Sequence, residues 1–110
     1  MVQVLLEYGL DADSPDLNGN TVLIYASKDG HRNDNRVARL LIERGADPNT
    51  VGVLDYTPLH HASEYGRIEI ARLLIEYGAN VEAKENWGRT PLNLARDDEM
   101  KNLLLEHHVM

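Results

Sequence analysis

The residues best suited to chemistry lie in three short runs, His60-His61, His107-His108 and Asp97-Asp98-Glu99. Paired histidines could bind a metal ion, and clustered carboxylates could act as an acid and a base. Two metal ligands on one helix usually stand three or four residues apart, because adjacent side chains point about 100° away from each other. Adjacent acids without a basic or metal partner usually form a solvated helix cap. We therefore interpret all three runs as structural or solvated.

Sequence motifs of enzyme active sites are missing as well. The sequence has no glycine-rich phosphate loop, no His-Glu-x-x-His zinc motif and no Gly-x-Ser-x-Gly nucleophile. It contains only three serines and no cysteine. We predict that the protein is not an enzyme, with no catalytic residue, no bound metal and no cofactor.

The composition limits the class of protein and the class of partner. The chain has 110 residues, of which 43% are hydrophobic and 26% charged, as expected for one water-soluble globular domain. Eleven basic and 18 acidic residues give a net charge of −7, which disfavours binding to nucleic acid or to an anionic membrane surface. The lack of cysteine, of a signal sequence and of a long apolar run predicts an intracellular, cytoplasmic protein.

Two blocks of sequence repeat along the chain with a period of 33 residues. The leucine-rich block at 39–47 recurs at 72–80, and the block at 57–62 recurs at 90–95. A further copy of the latter, at 21–26, precedes it by 36 residues, so its unit carries three extra residues. Such a period predicts a stack of similar structural units.

The residues that flank these blocks predict where helices begin and end. Thr57 and Thr90 each precede a proline, and a threonine N-cap followed by proline is typical of a helix start. Gly66 follows the block at 57–62, and Gly45 and Gly78 lie at the ends of the two leucine-rich blocks. At the C-terminal end of a helix the left-handed conformation favours glycine. Each unit is therefore predicted to contain two helices of two to three turns, joined to the next unit by a polar turn or hairpin.

The segments Thr57-Pro58-Leu59-His60, Gly66 and Leu73-Leu74 with Gly78-Ala79 resemble the ankyrin repeat, and the resemblance covers essentially the whole chain. It implies an all-α solenoid of stacked helix-turn-helix units with hairpin-like turns, in which His60 is a structural histidine. The predicted units of this single domain are residues 1–15 (a partial repeat), 16–51, 52–84 and 85–110 (a capping repeat).

Four positions depart from the repeat pattern. Val22 stands where the middle unit has Pro58, Ile24 and Asn93 stand where it has His60, and Asp55 stands where the neighbouring units have Gly19 and Gly88. We expect the units that carry Ile24 and Asn93 to have weaker capping networks than the middle unit.

The leading half repeat and the insertion at 31–36 are the least regular segments. The sequence begins at the second helix of a unit, which leaves the half repeat without its covering helix. We expect a monomer, with this uncapped half repeat as the surface through which two copies could dimerise. The insertion lies between two helices and is predicted to be either an inert surface loop or a second contact site.

The resemblance implies that the concave surface, made of turn tips and the outer sides of the first helices, binds a protein partner. Tip residues such as Tyr56 and Trp87 support this reading, because exposed aromatic side chains are frequent in interface hot spots. In the other reading, Leu17, Leu54 and Trp87 pack against neighbouring turns. The predicted binding residues are Leu17, Asn18, Asn20, Lys28, Asp29, Val53, Leu54, Tyr56, Glu64, Tyr65, Asn86, Trp87, Arg89 and Asp97.

The sequence thus predicts a non-enzymatic module that binds another protein of unknown identity. The alternative is a structural one, in which the chain is a slice of a longer ankyrin-repeat protein and acts as a spacer or scaffold for other domains.

Overall fold

The computed structural model describes residues 19–29 and 34–107, and these residues form helices and turns without strands. The leading half repeat and part of the insertion lie outside them. The predicted all-α solenoid is confirmed, whereas the unit boundaries stay a prediction. The helices are α1 (Val22–Asp29), α2 (Arg36–Glu43), α3 (Pro58–Tyr65), α4 (Ile68–Glu76), α5 (Pro91–Leu94) and α6 (Asp98–Glu106).

The helices stack as three successive pairs. Each first helix (α1, α3 or α5) packs against the second helix that follows it, and also against the first helix of the neighbouring pair. The second helices α2, α4 and α6 pack against their neighbours in the same order. Leu41, Leu59, Leu73, Leu74 and Met100 are almost fully buried in the shared core. A row of small aliphatic layers therefore holds the first helices and the turns in a fixed order.

The start of α3 is fixed by a reciprocal pair of hydrogen bonds. The hydroxyl oxygen of Thr57 accepts from the backbone N–H of His60 at 3.2 Å, and Nδ1 of His60 accepts from the N–H of Thr57 at 3.1 Å. The proton of the ring is then on Nε2, which donates to the carbonyl of Arg89 at 2.9 Å. Burial lowers the pKa of His60. His60 is thus a neutral structural residue that joins two successive turns.

The caps of the other two first helices differ from each other. At α1, the hydroxyl oxygen of Thr21 accepts from the N–H of Ile24 at 3.4 Å, but the side chain of Ile24 has no polar atom that could accept from the N–H of Thr21. At α5, the side-chain oxygen of Asn93 accepts from the N–H of Thr90 at 2.9 Å, so the capping box is complete. The network is therefore weaker at α1, as expected, whereas the capping box of α5 is complete. Among the described residues, Asn93 makes no equivalent of the bond from His60 to the carbonyl of Arg89.

Helix α5 has four residues, fewer than the two to three turns predicted from the sequence. The chain is three residues shorter here, and Asp97 already begins the next element: its carboxylate accepts from the N–H of Met100 at 2.8 Å and caps α6. The shortening is thus taken from the end of α5.

Side chains of one pair also satisfy the backbone of the next. The hydroxyl of Ser63 donates to the carbonyl of Pro91 at 2.5 Å. The amide of Asn49 donates to the carbonyl of Gly78 at 3.1 Å, while its oxygen accepts from the N–H of Asn80 at 2.7 Å. These bonds set the spacing between successive pairs.

Candidate functional site

Two five-residue turns project from the stack: the first tip, residues 52–56, and the second tip, residues 85–89. In each tip the backbone N–H of the first residue donates to the carbonyl of the fifth, at 3.1 Å in the first tip and 3.0 Å in the second. The tips are also joined to each other, because the N–H of Asn86 donates to the carbonyl of Leu54 at 2.9 Å. They therefore form one continuous edge.

The second tip is built around the carboxylate of Glu85, whose side chain is fully buried. One oxygen accepts from the backbone N–H groups of Trp87 and Arg89, both at 2.8 Å. The other accepts from the guanidinium of Arg89 at 2.9 Å. The same guanidinium donates to the phenolic oxygen of Tyr56 at 2.9 Å. Glu85 thus fixes the backbone of its own tip and the side chain that reaches the first tip.

This network shifts the titration of its two charged groups in opposite directions. The hydrogen bond from Arg89 lowers the pKa of the Glu85 carboxyl, against the opposing effect of burial, and the backbone N–H groups lower it further. The same hydrogen bond raises the pKa of Arg89. Both groups are charged at neutral pH.

Trp87 lies on the outside of this network with 66% of its surface exposed. The guanidinium carbon of Arg89 is 5.3 Å from the centre of its ring, within the range of a cation–π contact. Because Glu85 holds Arg89, the exposed indole rests on a fixed support. With this exposure, Trp87 is not buried against a neighbouring turn.

The first tip has an unusual backbone. Leu54 and Asp55 have φ angles of +59° and +60°, a left-handed conformation that side chains with a Cβ rarely adopt. The equivalent of Asp55 in the second tip is Gly88, with φ +79°. Val53 and Leu54 are 45% and 44% exposed, so the strained tip presents two apolar side chains to solvent.

The first tip takes its side-chain acceptor from the preceding pair. The side-chain oxygen of Asn20 accepts from the N–H of Val53 at 3.0 Å. It occupies the space beside Gly52, where a Cβ would collide with it. Asn20 therefore has a structural role in the tip as well as a place on the predicted surface.

A groove of about 390 Å³ separates the first tip from α1 and α3. Helix α1 contributes Tyr25 and Lys28 to its lining, and α3 contributes His61 and Tyr65. The imidazole of His61 is 4.9 Å, centre to centre, from the ring of Tyr56 and 6.4 Å from that of Tyr65, with which it is nearly parallel. The groove thus has a wall of three rings.

His61 is the unusual member of this wall. Its Nδ1 is buried and has no hydrogen-bond partner among the described residues. Burial is the largest cause that lowers its pKa to about 4, and the nearby Lys28 and His60 side chains contribute to the lowering. The ring is neutral at physiological pH and leaves an unused polar atom beside the groove.

The remaining predicted binding residues have varied surroundings. Lys28 and Asp29 end α1 with exposed side chains, and Asn86 is exposed in the second tip. Glu64 faces the groove and forms an ion pair with Arg96 at 3.5 Å.

Some sequence predictions fall away from this surface or outside the structure. Asp97 is half-buried and caps α6. Leu17 and Asn18 lie outside the described residues. In the described part of the insertion, Asp34 pairs with Arg36 at 2.8 Å. A second contact site in the insertion stays a prediction.

Sequence reasoning missed two residues of the site, Glu85 and His61. Glu85 stands four residues before Arg89, a spacing that hints at an ion pair, but the repeat pattern places Gly52 at the equivalent position and gives no reason to expect a buried acid. In the sequence, His61 suggests only a possible metal ligand next to His60. Within residues 19–29 and 34–107, no group of three or more His, Asp or Glu side chains could hold a metal ion.

A family model described as ankyrin repeats, in three copies, matches residues 32–109, which is more than half of the chain. The chain belongs to the ankyrin repeat family. The ankyrin repeats of this chain therefore account for the period of 33 residues and for the stacked helix pairs. Ankyrin repeats in general act as protein–protein interaction modules.

Several curated proteins are similar to this ankyrin-repeat chain. "Serine/threonine-protein kinase VIK" of Arabidopsis thaliana is 42% identical over 70% of the chain and 18% of its own length. "Putative E3 ubiquitin-protein ligase XBAT34" of Arabidopsis thaliana is 32% identical over 98% of the chain and 29% of its own length. "Ankyrin repeat and SOCS box protein 11" of Danio rerio is 37% identical, with coverages of 94% and 34%. The chain thus spans about a third or less of these relatives.

None of the helices in the described part of this ankyrin-repeat chain is long and apolar enough to cross a membrane.

Proposed function

We propose that this chain is a non-enzymatic module that binds another protein through its two tips and the outer sides of α1 and α3. The observation that carries the proposal is the exposed indole of Trp87 on a fixed support. Tryptophan, tyrosine and arginine dominate interface hot spots, and a side chain that is already ordered loses less entropy when it binds. Glu85 and Arg89 provide that order before a partner arrives.

The neighbouring residues extend the surface beyond one aromatic anchor. Leu54 and Tyr65 are 44% and 43% exposed on the same side as the groove, although neither is needed to fill the core. Adjacent exposed apolar side chains on a soluble protein mark interaction sites. The tips and the groove together offer a concave aromatic and apolar surface to a protein partner.

The chain should be used as bait for affinity purification, and a captured protein should then be purified and titrated. Trp87→Ala should weaken its affinity by about thirtyfold, which corresponds to a hot spot of about 2 kcal/mol. Tyr65→Ala should also weaken binding. Tyr77→Ala is the matched control, because Tyr77 is 42% exposed but lies at the end of α4, away from both tips.

The spectrum of Trp87 provides a second measurement on the same complex. Binding should move its emission to the blue and reduce quenching by iodide, since the indole leaves water. A purified partner whose affinity and emission do not respond to Trp87 would place the binding surface elsewhere.

The length of the relatives supports a second candidate, in which the chain is part of a longer ankyrin-repeat protein and spaces or supports other domains. In that case substitutions at the tips should leave every interaction of the parent protein unchanged. Removing one helix pair from the stack should then impair the function of the parent protein, because the spacing between its other domains changes.

A further inference from the structure

The groove between α1, α3 and the first tip is lined by donors of hydrogen bonds. Tyr56 already accepts from Arg89 through its phenolic oxygen, so its own O–H hydrogen is left to donate. The ammonium of Lys28 forms no ion pair with any described residue, although it lies at the groove. The side chain of Tyr65 also lines the groove. Each of these side chains can donate to an acceptor.

The charge of the lining points the same way. Glu64 is the one carboxylate among the described lining residues, and it already forms an ion pair with Arg96 at 3.5 Å. Lys28 forms no ion pair with a described residue, and the carboxylate of Asp29, which follows it in the chain, is not part of the lining. An incoming negative group therefore finds a cation that no described carboxylate pairs with, despite the net negative charge of the whole chain.

His61 adds a polar atom that nothing in the described chain uses. Its ring lies between those of Tyr56 and Tyr65, and its buried Nδ1 has no partner. A buried polar atom without a partner costs free energy, so a ligand that reaches Nδ1 when the neighbouring rings move supplies what the free protein lacks.

We propose that this groove receives an aspartate or glutamate side chain of the protein partner, between Lys28 on α1 and His61 on α3. The exposed side chains of Val53 and Leu54 at the rim favour an apolar residue beside that acid. The partner is thus a protein segment with an acidic residue next to an apolar one. This inference rests on the proposed function and specifies the partner that it leaves open.

Peptide selection tests the specificity directly. The full chain is immobilised, random 12-residue peptides displayed on phage are selected against it, and the selected pool is sequenced. Asp or Glu should be enriched at one position beside an apolar residue. Selection on the double variant Lys28→Gln, His61→Leu should lose that enrichment. Leucine is tolerated at the corresponding place in the next pair, where Leu94 is buried, and Lys84→Gln serves as the matched control on an exposed lysine.

The selected peptide then provides the affinity measurement. Replacing its acid by the matching amide should weaken binding about tenfold, as should Lys28→Gln in the chain, whereas Lys84→Gln should not. Pools enriched in Lys or Arg, purely apolar pools, or pools indifferent to Lys28 and His61 would overturn the inference. If such pools still depend on Trp87, the proposed function stands; if no pool depends on any tip residue, both fall.

NMR titration of His61 separates a direct contact from a general loss of fold. In the free chain burial, Lys28 and His60 lower the pKa of this ring, Asp29 raises it, and the rings of Tyr56 and Tyr65 lie 4.9 Å and 6.4 Å from it, centre to centre. A carboxylate beside it favours the charged ring, so its pKa should rise above about 4 with the acidic peptide. It should not rise with the amide form. An unchanged pKa with a tightly bound acidic peptide would place the acid elsewhere.

Discussion

The two tips share the backbone hydrogen bond from their first residue to their fifth but are supported in different ways. The second tip contains its own buried acceptor, Glu85, and has Gly88 where the backbone turns left-handed. The first tip has no side chain at Gly52, takes its acceptor from Asn20 in the preceding pair, and places Asp55 in the left-handed position. The side-chain acceptor of the second tip lies within the tip, whereas that of the first tip lies in the preceding pair.

This difference shows that turns at equivalent places in the repeat can use different acceptors. In the second tip Glu85 accepts from the N–H groups of Trp87 and Arg89, whereas in the first tip Asn20 accepts from the N–H of Val53. The first tip should therefore depend on a side chain of the preceding pair, whereas the charged acceptor of the second tip is its own. The four predictions below test that contrast.

The largest effect is expected from Glu85→Gln, which removes the buried charge of the second tip. We expect a larger fall in melting temperature than from any other tip substitution, because Arg89 loses its ion pair and two backbone amides lose a charged acceptor. Since the pKa of Glu85 is lowered in the folded protein, this stabilisation is present above its unfolded pKa of about 4.3 and is lost as pH falls through the folded pKa. Thermal melts at pH 7 and pH 2 measure both effects. Glu76→Gln on the exposed face of α4 is the control, and an equal deficit at both pH values would contradict the prediction.

The left-handed positions should respond in opposite directions. Asp55→Gly should raise the free energy of unfolding by about 0.5–1 kcal/mol, because glycine adopts φ +60° without steric cost. Gly88→Asp should lower it by a similar amount. Urea titrations with unchanged m-values measure both. Changes of the same sign at the two positions would show that the tips are not equivalent backbones.

The borrowed acceptor predicts a coupling between Gly52 and Asn20. Gly52→Ala pushes the Asn20 side chain aside, and Asn20→Ala removes it, so each should cost about 1 kcal/mol through the unpaired N–H of Val53. The double variant should be no less stable than either single one. Additive losses in a double-mutant cycle would mean that the two residues act separately.

The smallest effect on stability is expected from Trp87→Ala, within about 0.5 kcal/mol, because the indole is mainly exposed. In the wild type, emission should be red-shifted and readily quenched by iodide. A blue-shifted spectrum, or a large loss of stability on substitution, would make Trp87 part of the structural support of its tip.

The sequence alone was sufficient for the parts of the fold that depend on local chemistry. Threonine and proline at helix starts and glycine at helix ends act within one turn of the chain, so α3 and α4 could be predicted from Thr57, Gly66 and Gly78. The family and the helical stack followed from the period of 33 residues.

The supports of the tips could not be predicted, because they depend on residues that meet only after stacking. Nothing next to Val53 in sequence indicates that Asn20 will accept from it. The burial of Glu85 likewise depends on how Arg89 reaches across to Tyr56. The binding surface was predicted as a set of exposed positions, whereas the structure separates exposed side chains such as Trp87 from supporting ones.

The location of the buried acceptor has a consequence for protein engineering. A segment that includes residues 85–89 carries its own carboxylate, so a transplanted turn keeps that acceptor and needs from the upstream turn a carbonyl for Asn86, as Leu54 provides here. A segment that includes residues 52–56 loses its side-chain acceptor, because Asn20 belongs to the upstream repeat and must be moved with it. Recombination between repeats would therefore move the second turn together with its carboxylate, and the first only together with Asn20.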